Sequence, residues 1–503
     1  MIADLPDLLA RRAAISPAAV AIEEMASRRG YSYAELHERA SRAASLLAAR
    51  GVGAGDRVGI LCRNRAAFFE LLFACARIGA ILVPLNWRMP PAELDGLLAD
   101  CAPGLILHDG GEAARVRALA SARPSIDLDG EYEAALEAAP AAPVRPSWPK
   151  DGIWYLLYTS GTTGRPKGVI YTYGMAVANL VNIGTALGLG SGDTTASFLP
   201  LFHTAGMNLH ALPTLLQGGR VLILPGFDAE TIVSLLEARR LDTLFAVPAV
   251  YQALLDHPRF AAAPLDHVRH WGCGGAALPD EVALKCRDLG IRLCNGMGMT
   301  ETGPTAFLAS PAEAWTRIGS VGRPQLLVGV RIVDAEGRDV ADGEVGDLLF
   351  SGPAVTPGYW SDPEATRAAF ANDGWLRSGD LARRDSQGCY WIAGRRKEMF
   401  ISGGENVYPA EVENALCAHP AVAEAAVVGV ADARWGEVGR AFLRYRDDSP
   451  EPSEVELRAF CRTRLAAYKV PASFEAITDF PRTSAGKIRK HLLARENWAA
   501  AAE

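Results

Sequence analysis

Apolar positions in the first part of the chain follow a helical period and a strand period in turn. Ser32 and Glu35 form a capping box, and the apolar residues that follow recur at helical spacing. Short apolar strands are predicted at residues 57–62 and 80–84, and Asn64 is a candidate cap for the helix between them. This strand–helix–strand rhythm predicts a largely parallel sheet covered by helices.

The pattern changes around residues 320–393, where short strands alternate with Asp-Gly and Glu-Gly turns, which predicts a small antiparallel β unit. A new α+β pattern follows Lys397 and has the length of an ordinary domain. We therefore predict an α/β and α+β fold. Its large N-terminal domain, residues 1–396, has parallel-rich sheets, covering helices and the β unit. A smaller, mobile C-terminal α+β domain, residues 397–503, is hinged at Lys397. The Ala-rich stretch 134–142 is predicted to be a surface connection.

Composition narrows the class of protein without identifying its chemistry. The 503 residues are 49% apolar and 22% charged, as in a globular protein of several structural units, and the net charge of −7 does not favour nucleic acid. Anions must then bind through local basic groups and backbone N–H groups. The cysteines form no C-x-x-C pair, the N-terminus has no signal-peptide core, and no apolar run is long enough to span a membrane. We expect a cytoplasmic protein without a transmembrane segment.

The strongest chemical signal is the segment at residues 158–168, Tyr-Thr-Ser-Gly-Thr-Thr-Gly-Arg-Pro-Lys-Gly, which follows an apolar run. Glycines and hydroxyl residues in such a loop can wrap backbone N–H groups and hydroxyls around phosphate oxygens, and Lys167 adds a positive charge. The spacing does not fit a Walker A loop. On composition alone, a flexible polar loop is an equally good interpretation.

Residues 159–168 resemble the phosphate loop of the adenylate-forming superfamily, which comprises acyl- and aryl-CoA synthetases, nonribosomal-peptide adenylation domains and luciferases. Further matches occur in the same order along almost the whole chain, so that it resembles an AMP-forming acyl-CoA synthetase. The resemblance implies that ATP, with Mg²⁺, activates a small carboxylic acid as an acyl-adenylate, and that the acyl group then moves to the thiol of coenzyme A. By resemblance, the phosphate loop binds ATP through Thr159, Ser160, Gly161, Thr162, Thr163, Gly164 and Lys167.

Two further segments resemble the metal and acyl-site motifs of the family. Residues 295–301, Asn-Gly-Met-Gly-Met-Thr-Glu, imply that Thr300 contacts the α-phosphate and that Glu301 helps to hold Mg²⁺, which prefers oxygen ligands. The family has an aromatic residue where this chain has Met297, so adenine is expected to meet a thioether. His203 corresponds to a histidine beside the acyl site, where we favour a positioning role. Taken alone, a single Glu is usually a helix cap and a single His a structural hydrogen-bonding group.

Residues 272–277, Gly-Cys-Gly-Gly-Ala-Ala, resemble the segment beside the adenine and acyl pocket, where glycine lets the backbone approach a flat ligand. The nucleotide is expected to lie against Gly274, Gly275 and Ala276. Asp380 resembles the residue that accepts hydrogen bonds from both ribose hydroxyls, and Arg395 resembles a further nucleotide contact. Without the resemblance, each of these segments is simply a tight turn.

The C-terminal domain carries the remaining matches. Gly403 and Gly404 resemble the loop that lines the pantetheine channel, and Tyr468 occupies the position of an aromatic residue beside the nucleotide of CoA. Lys487 resembles the lysine that reaches the substrate carboxylate and the α-phosphate during adenylation. Lys397 is then the hinge by which the domain withdraws Lys487 and presents the glycine face to CoA.

Three alternatives to a CoA ligase remain open from the sequence. A stand-alone adenylation domain would carry an amino-acid-binding Asp and usually a following carrier segment, and no convincing carrier segment is present. A luciferase-like oxygenase has the same motifs. A nucleotide-binding protein without catalytic activity is the third alternative, although every charged position of the family set is occupied.

The acid is predicted to be an apolar monocarboxylate, either fatty or aromatic and cinnamate-like. By resemblance the acyl pocket is walled by residues 203–211, 246–251, 272–277 and 296–308, which contain no Arg or Lys. A second carboxylate buried there would lack a partner, which costs several kcal/mol. The predicted apolar walls are Met207, Leu209, Val247, Val250, Tyr251, Cys273, Ala276, Met297 and Phe307. The uncharged groups predicted to meet a phenolic hydroxyl are Asn208, His210, Tyr251 and Thr305.

Overall fold

The computed structural model describes residues 4–119, 123–159, 166–447, 449–482 and 488–494. The strands, in chain order, are β1 (Asp4–Leu5), β2 (Val20–Glu24), β3 (Arg29–Ser32), β4 (Arg57–Leu61), β5 (Ile81–Pro84), β6 (Leu105–His108), β7 (Ser125–Asp127), β8 (Trp148–Pro149), β9 (Ile153–Thr159), β10 (Lys167–Thr172), β11 (Thr194–Ser197), β12 (Arg220–Ile223), β13 (Thr243–Ala246), β14 (His270–Cys273), β15 (Leu293–Met299), β16 (Gly303–Leu308), β17 (Arg323–Pro324), β18 (Gly329–Val333), β19 (Gly346–Ser351), β20 (Leu376–Arg384), β21 (Tyr390–Arg395), β22 (Phe400–Ser402), β23 (Glu405–Val407), β24 (Val422–Asp432), β25 (Gly436–Tyr445) and β26 (Ser473–Ala476).

The α-helices, in chain order, are α1 (Leu8–Ile15), α2 (Tyr33–Ala49), α3 (Ala66–Ile78), α4 (Pro91–Cys101), α5 (Ala113–Arg117), α6 (Tyr132–Ala138), α7 (Tyr173–Leu187), α8 (Leu212–Gln217), α9 (Ala229–Glu237), α10 (Pro248–Leu255), α11 (Asp280–Asp288), α12 (Pro363–Ala369), α13 (Pro409–Cys417), α14 (Glu454–Arg462) and α15 (Lys490–Leu493). A π-helical turn, Ala205–Ala211, leads directly into α8. No described helix is long and apolar enough to cross a bilayer.

Two large sheets form the body of the N-terminal domain. The first has the strand order β10-β9-β5-β4-β6-β7 and is parallel except for the β10–β9 hairpin. The second has the order β17-β16-β15-β14-β13-β11-β12-β2-β3 and is parallel from β15 to β2. The predicted parallel sheets are therefore confirmed, with antiparallel strands added at the edges.

Helices fill the space between the two sheets and cover their outer faces. A core formed by α2, α3, α7 and α8 joins aromatic residues of β9, including Trp154 and Tyr155, to Val221 and Ile223 of β12. Every residue of α3 from 66 to 77 is buried, as expected for a helix packed on all sides. Helices α9 to α11 cover the outer face of the second sheet, and α4 and α5 cover that of the first.

The rest of the chain forms two smaller units. Strands β18 to β21 make the antiparallel β unit that the turn pattern predicts. Beyond it, β22 to β26 form a mixed sheet, with α13 and α14 packed on one face and α15 on the other. These clusters give the C-terminal residues a hydrophobic core of their own.

Two local predictions have different outcomes. The capping box of Ser32 and Glu35 is confirmed at the start of α2. Asn64 does not cap α3, because its side chain instead binds the backbone of Leu199 and Leu201. The first free N–H of α3, on Ala66, is bound by the carboxylate of a distant residue in β2.

The Ala-rich stretch at 134–142 was predicted to be a surface connection, and this is wrong for its first half. That half belongs to α6, which buries Tyr132 and Leu136. The Tyr132 hydroxyl donates to the buried carboxylate of Glu70, so α6 is fixed to the core by a polar contact as well as by packing.

We predict that Asp7→Ala lowers the unfolding free energy by about 3–5 kcal/mol, because it leaves a buried cation without its partner. Asp7 caps α1 and pairs with Arg77 at 2.8 Å, and the two side chains are 2% and 1% exposed. Denaturant and thermal unfolding provide the measurement. The control is Asp151→Ala, which removes an ion pair from a side chain that is 82% exposed and should have little effect. Equal losses in both variants would contradict the prediction.

Candidate active site

The carboxyl ends of the parallel strands β13, β14 and β15 lie at one edge of the second sheet, and two predicted motifs leave the sheet there. Open α/β sheets bind ligands at this edge. A Cβ on Gly274 would lie 2.7 Å from the carbonyl oxygen of Gly296, and one on Gly298 would collide with the backbone of Pro304. The backbones therefore pack with no side chain between them. Gly275 and Ala276, which follow, are exposed.

The phosphate-loop segment connects β9 and β10, which pair as antiparallel neighbours. Thr159 ends β9 and is paired in register with Lys167, the first residue of β10. The Lys167 ammonium lies 4.9 Å from the ring centroid of Tyr359, within the range of a cation–π contact. The predicted residues Ser160, Gly161, Thr162, Thr163 and Gly164 lie outside the described residues.

Thr300 and Glu301 form a buried turn after β15. The carbonyl of Thr300 accepts a hydrogen bond from Tyr171 at 2.7 Å, and the carboxylate of Glu301 accepts one from Tyr359 at 2.9 Å. The backbone N–H of Thr356 donates to the carbonyl of Glu301 at 2.8 Å. Burial and the nearby Glu301 carboxylate raise the pKa of Tyr359, so that its hydroxyl stays a donor.

Glu301 has the properties expected of a metal ligand. It is 7% exposed, and no Lys, Arg or His in the described part of the chain forms an ion pair with it. A buried carboxylate is costly unless a cation compensates it, and a hard divalent cation prefers carboxylate oxygen. The residues present therefore fit Mg²⁺, with Glu301 supplying a protein oxygen.

His203 lies just before the π-helical turn, and Met297 lies in β15. The Nδ1 of His203 accepts a hydrogen bond from the backbone N–H of Ala205 at 3.2 Å, at the start of the π-helical turn. This contact requires Nδ1 to be unprotonated, which leaves the proton of the neutral ring on Nε2. Met297 is half-buried, lies opposite Phe307 in β16, and packs against the core of the β unit.

Asp380 and Arg395 are brought together by strand pairing. They are partners in register on β20 and β21, and the Arg395 Nε lies 2.7 Å from the Asp380 Oδ1. Asp380 is 4% exposed, whereas the Arg395 side chain is 47% exposed. A fixed carboxylate with a cation beside it suits a ligand that carries both hydroxyls and phosphate.

The C-terminal site residues lie on exposed turns. Gly403 and Gly404 are the two central residues of the β22–β23 hairpin, and their φ angles of 61° and 89° explain why both are glycine. A Cβ on Gly403 would also approach the ring of Trp435 to 3.0 Å. Tyr468 is exposed on a short 3₁₀ turn, where its neighbour Lys469 pairs with a glutamate of α13.

Lys487 lies outside the described residues, as do residues 483–486 before it. The described residues on either side, Arg482 and Ile488, form an antiparallel bridge. Lys490 follows and is buried between Glu398 and Glu413, at 2.9 Å and 2.7 Å. Burial lowers the pKa of the Lys490 ammonium, but the two carboxylates favour its charged form and raise that pKa overall.

Three polar groups predicted to meet a phenolic hydroxyl are used inside the protein. Tyr251 is fully buried among α9 to α11 and donates to the carbonyl of Gly272 at 2.8 Å. Asn208 accepts from the hydroxyl of Tyr155, and Thr305 is buried within reach of a glutamine side chain. These predictions are wrong, because the resemblance gave the positions of the walls but not the directions of the side chains.

Some predicted apolar walls also belong to the core. Val250 and Cys273 pack with Tyr251 beneath the covering helices, and Phe307 packs against the β unit. Gly272, Gly274, Gly296 and Gly298 form a glycine strip at the ends of β14 and β15. Phe245 lies beside it, and its ring approaches the positions that Cβ atoms would occupy at Gly272 and Gly274. Phe245 and Tyr359 were missed. Phe245 precedes the segment assigned to the pocket by one residue, and no spacing pattern marks Tyr359.

Two family models match the chain. The model described as AMP-binding enzyme covers residues 9–360, and the model described as AMP-binding enzyme C-terminal domain covers residues 411–487. A feruloyl-CoA synthase from Amycolatopsis sp. is 43% identical over 480 residues, 95% of this chain and 96% of that protein. Indoleacetate–CoA ligase from Aromatoleum aromaticum is 36% identical, with 98% of this chain and 99% of that protein covered.

Solved structures share the whole architecture. The o-succinylbenzoate CoA synthetase from Bacillus subtilis, in complex with its acyl-adenylate intermediate, has a TM-score of 0.89 at 31% identity, with 98% of this chain and 99% of that chain covered. The same enzyme has been solved with ATP and a magnesium ion. The likeness therefore extends over both domains and not only over the motifs.

We predict that Tyr359→Phe raises the Mg²⁺ concentration needed for half-maximal ATP–pyrophosphate exchange by about tenfold, because a lost hydrogen bond to a charged group is worth roughly one decade. Among the described contacts, only the Tyr359 hydroxyl donates a hydrogen bond to the Glu301 carboxylate. Tyr445→Phe, on β25 of the C-terminal domain, is the matched control. An unchanged Mg²⁺ requirement in Tyr359→Phe would show that this hydrogen bond does not position the carboxylate.

Proposed function

This chain belongs to the AMP-binding enzyme family and is an AMP-forming acyl-CoA synthetase that uses ATP, Mg²⁺ and coenzyme A, and we propose that its acid is a hydroxycinnamate-like aromatic monocarboxylate. The 43% identity to a feruloyl-CoA synthase, over 95% of this chain, carries the proposal. The absence of Arg and Lys from the four predicted wall segments supports it.

In the first half-reaction, the carboxylate of the acid attacks the α-phosphorus of ATP and pyrophosphate leaves. The negative charge on both reactants opposes this attack, so cations and N–H donors must offset it. We propose that Lys167 and the loop before it hold the terminal phosphates, while Thr300 and Lys487 contact the α-phosphate. Bound through Glu301, Mg²⁺ would neutralise phosphate charge. His203 would position the acid, because its Nδ1 is already engaged with the backbone.

The nucleoside is proposed to lie between the two sheet ends and the β unit. The Asp380 carboxylate would accept from the ribose hydroxyls, and its pairing with Arg395 supports this role because the ion pair holds the carboxylate in a fixed position. Gly274, Gly275 and Ala276 would line one face of the adenine, and the Met297 thioether would approach the other. These assignments rest on the motif resemblance together with the geometry described above.

In the second half-reaction, the thiol of coenzyme A attacks the acyl carbon and AMP leaves. We propose that the chain from Lys397 onward turns as a unit, so that Lys487 withdraws and Gly403, Gly404 and Tyr468 line the path of CoA. The ion pairs around the hinge support its position. On one side Arg396 pairs with Asp347 of β19, and on the other Glu398 pairs with Lys490 of α15.

A cytoplasmic location is proposed from the cysteines. All nine are free thiols, and eight of them are buried. Burial raises the pKa of thiols such as Cys75 and Cys286, so that they stay protonated and unreactive. Such thiols suit a reducing compartment. Blockage of folding by a reducing agent would contradict this proposal.

We predict that ferulate and 4-hydroxycinnamate have the highest kcat/KM in a panel that also contains octanoate, laurate, benzoate, acetate and malonate. Malonate should be the poorest of these acids, because burying its second carboxylate without a partner costs several kcal/mol. Pyrophosphate release and acyl-CoA formation are measured together, with a reaction lacking acid as the control. Preference for laurate would assign the enzyme to fatty acids, and preference for malonate or acetate would overturn the apolar pocket altogether.

We predict that Lys487→Ala lowers acid-dependent ATP–pyrophosphate exchange by about two decades or more, the usual effect of removing an electrostatic stabiliser. Conversion of a supplied acyl-adenylate to acyl-CoA should remain near the parent rate, since that half-reaction does not use this cation. Arg489→Ala removes a positive charge from the same basic segment and serves as the control. Equal loss of both half-reactions in Lys487→Ala would contradict the proposed role.

A further inference from the structure

The turn at residues 396–398, here called the hinge turn, is held by an ion pair on each side of Lys397. Before Lys397, the Arg396 guanidinium donates two hydrogen bonds to the Asp347 carboxylate of β19. After it, the Glu398 carboxylate pairs with the Lys490 ammonium at the start of α15, at 2.9 Å. Arg396 is therefore fixed to the antiparallel β unit and Glu398 to the C-terminal residues, which leaves Lys397 where the two parts meet.

The Lys490 ammonium joins three segments that are distant from one another in the chain. Besides Glu398 in the hinge turn, it pairs with Glu413 of α13 at 2.7 Å, and its side chain is only 18% exposed. The Glu413 carboxylate also accepts a hydrogen bond from the backbone N–H of Val427 in β24 at 2.7 Å, which fixes its position. The hinge turn, α13 and the start of α15 thus share one cation.

The chain on either side of the Lys487 motif is closed at its base by backbone contacts. Arg482 and Ile488 form an antiparallel bridge, and the backbone N–H of Arg489 donates to the carbonyl of Pro481 at 2.7 Å. These contacts join the two flanks of the motif to each other, but they do not reach the hinge turn. The ion pair of Glu398 with the first residue of α15 supplies that connection.

We propose that Lys490 is a positioning residue for adenylation, which pairs with Glu398 and Glu413 and thereby sets where the preceding chain carries Lys487 relative to the hinge. Lys487 lies three residues before Lys490 in the sequence. This inference rests on the proposed function and adds to it a residue that touches no substrate itself. A cation that must approach the α-phosphate tolerates little displacement, because a shift of about 1 Å can cost roughly a hundredfold in rate.

The test measures both half-reactions in Lys490→Met, which has a side chain of similar length without the charge. Acid-dependent ATP–pyrophosphate exchange should fall by about ten- to a hundredfold, because Lys487 is no longer held in place. Conversion of a supplied acyl-adenylate to acyl-CoA should stay near the parent rate. Lys490→Arg keeps the cation and should restore most of the exchange. Equal loss of both half-reactions, together with a lower melting temperature, would show a purely structural role and overturn the inference.

A double-mutant cycle tests whether Lys490 acts through Lys487. In a Lys487→Ala background, Lys490→Met should have little further effect on the exchange, because no lysine is left to position. If the two effects are independent and simply add, the inference is overturned while the proposed function stands. If Lys487→Ala alone leaves the exchange unchanged, the proposed role of Lys487 fails and the positioning role of Lys490 fails with it.

Two further variants separate the connection to the hinge turn from the folding of the C-terminal domain. Glu398→Ala removes that connection and leaves the pair with Glu413, so exchange should fall by about three- to tenfold at an unchanged melting temperature. Arg440→Met is the matched control, because Arg440 pairs with Glu475 between β25 and β26 at similar exposure, 21% and 36%. It should leave the ratio of the two half-reactions unchanged. Unchanged exchange in Glu398→Ala, or an equal change of that ratio in Arg440→Met, would overturn the inference.

Discussion

The hydrogen bond from Tyr359 to Glu301 joins the segments on which the rest of the active site depends. Tyr359 also forms a bridge with Val169 of β10, so the strand after the phosphate loop and the turn after β15 share one anchor. The carboxylate held there is buried and has no ion-pair partner among the described residues. In the proposed function Mg²⁺ compensates this buried negative charge, which would couple metal binding to the order of three separate segments.

In the proposed function, the two domains divide the chemistry according to how rigid each part must be. The parallel sheets and their helices hold the nucleotide and acid surfaces on strand ends, where the backbone is fixed by ladders on both sides. The C-terminal residues have their own core and carry their functional groups on turns. An ion pair between Arg446 and Glu281 of α11, at 2.9 Å, links the two domains in this arrangement. The two side chains are 30% and 35% exposed, and a pair as exposed as this contributes little to stability.

The sequence predicts the layers of this fold well because hydrophobic period and turn residues are local signals. The parallel sheets, the antiparallel β unit and the capping box at Ser32 all follow from short stretches of chain. The failures involve contacts between distant segments. Asn64 binds backbone more than a hundred positions away, and Glu24 of β2 caps α3 in its place. Likewise Tyr251 could be placed near the acid only by resemblance, and its hydroxyl is taken by Gly272.

In the candidate site, too, the sequence predicts local motifs but not the contacts between distant segments. Asp380 and Arg395 are predicted from two separate sequence motifs, and the pairing of β20 with β21 brings them into contact. The partner of Glu301 was missed, since Tyr359 lies beyond the next four strands of the chain and no sequence pattern relates the two residues. Motifs identify the groups that meet the substrates, whereas the residues that hold those groups are selected by packing and have no fixed spacing.

The glycine strip has a consequence for how enzymes of this architecture can diverge. A Cβ on Gly274 or Gly298 would strike backbone, and backbone cannot move aside as a side chain can. Substitutions at these glycines therefore cannot adapt such an enzyme to a new acid. Variation is left to the side chains around the strip, such as Phe245 and those of the π-helical turn, which can be exchanged singly. The backbone of the glycine strip therefore stays the same, and evolutionary change in acid preference is confined to the side chains around it.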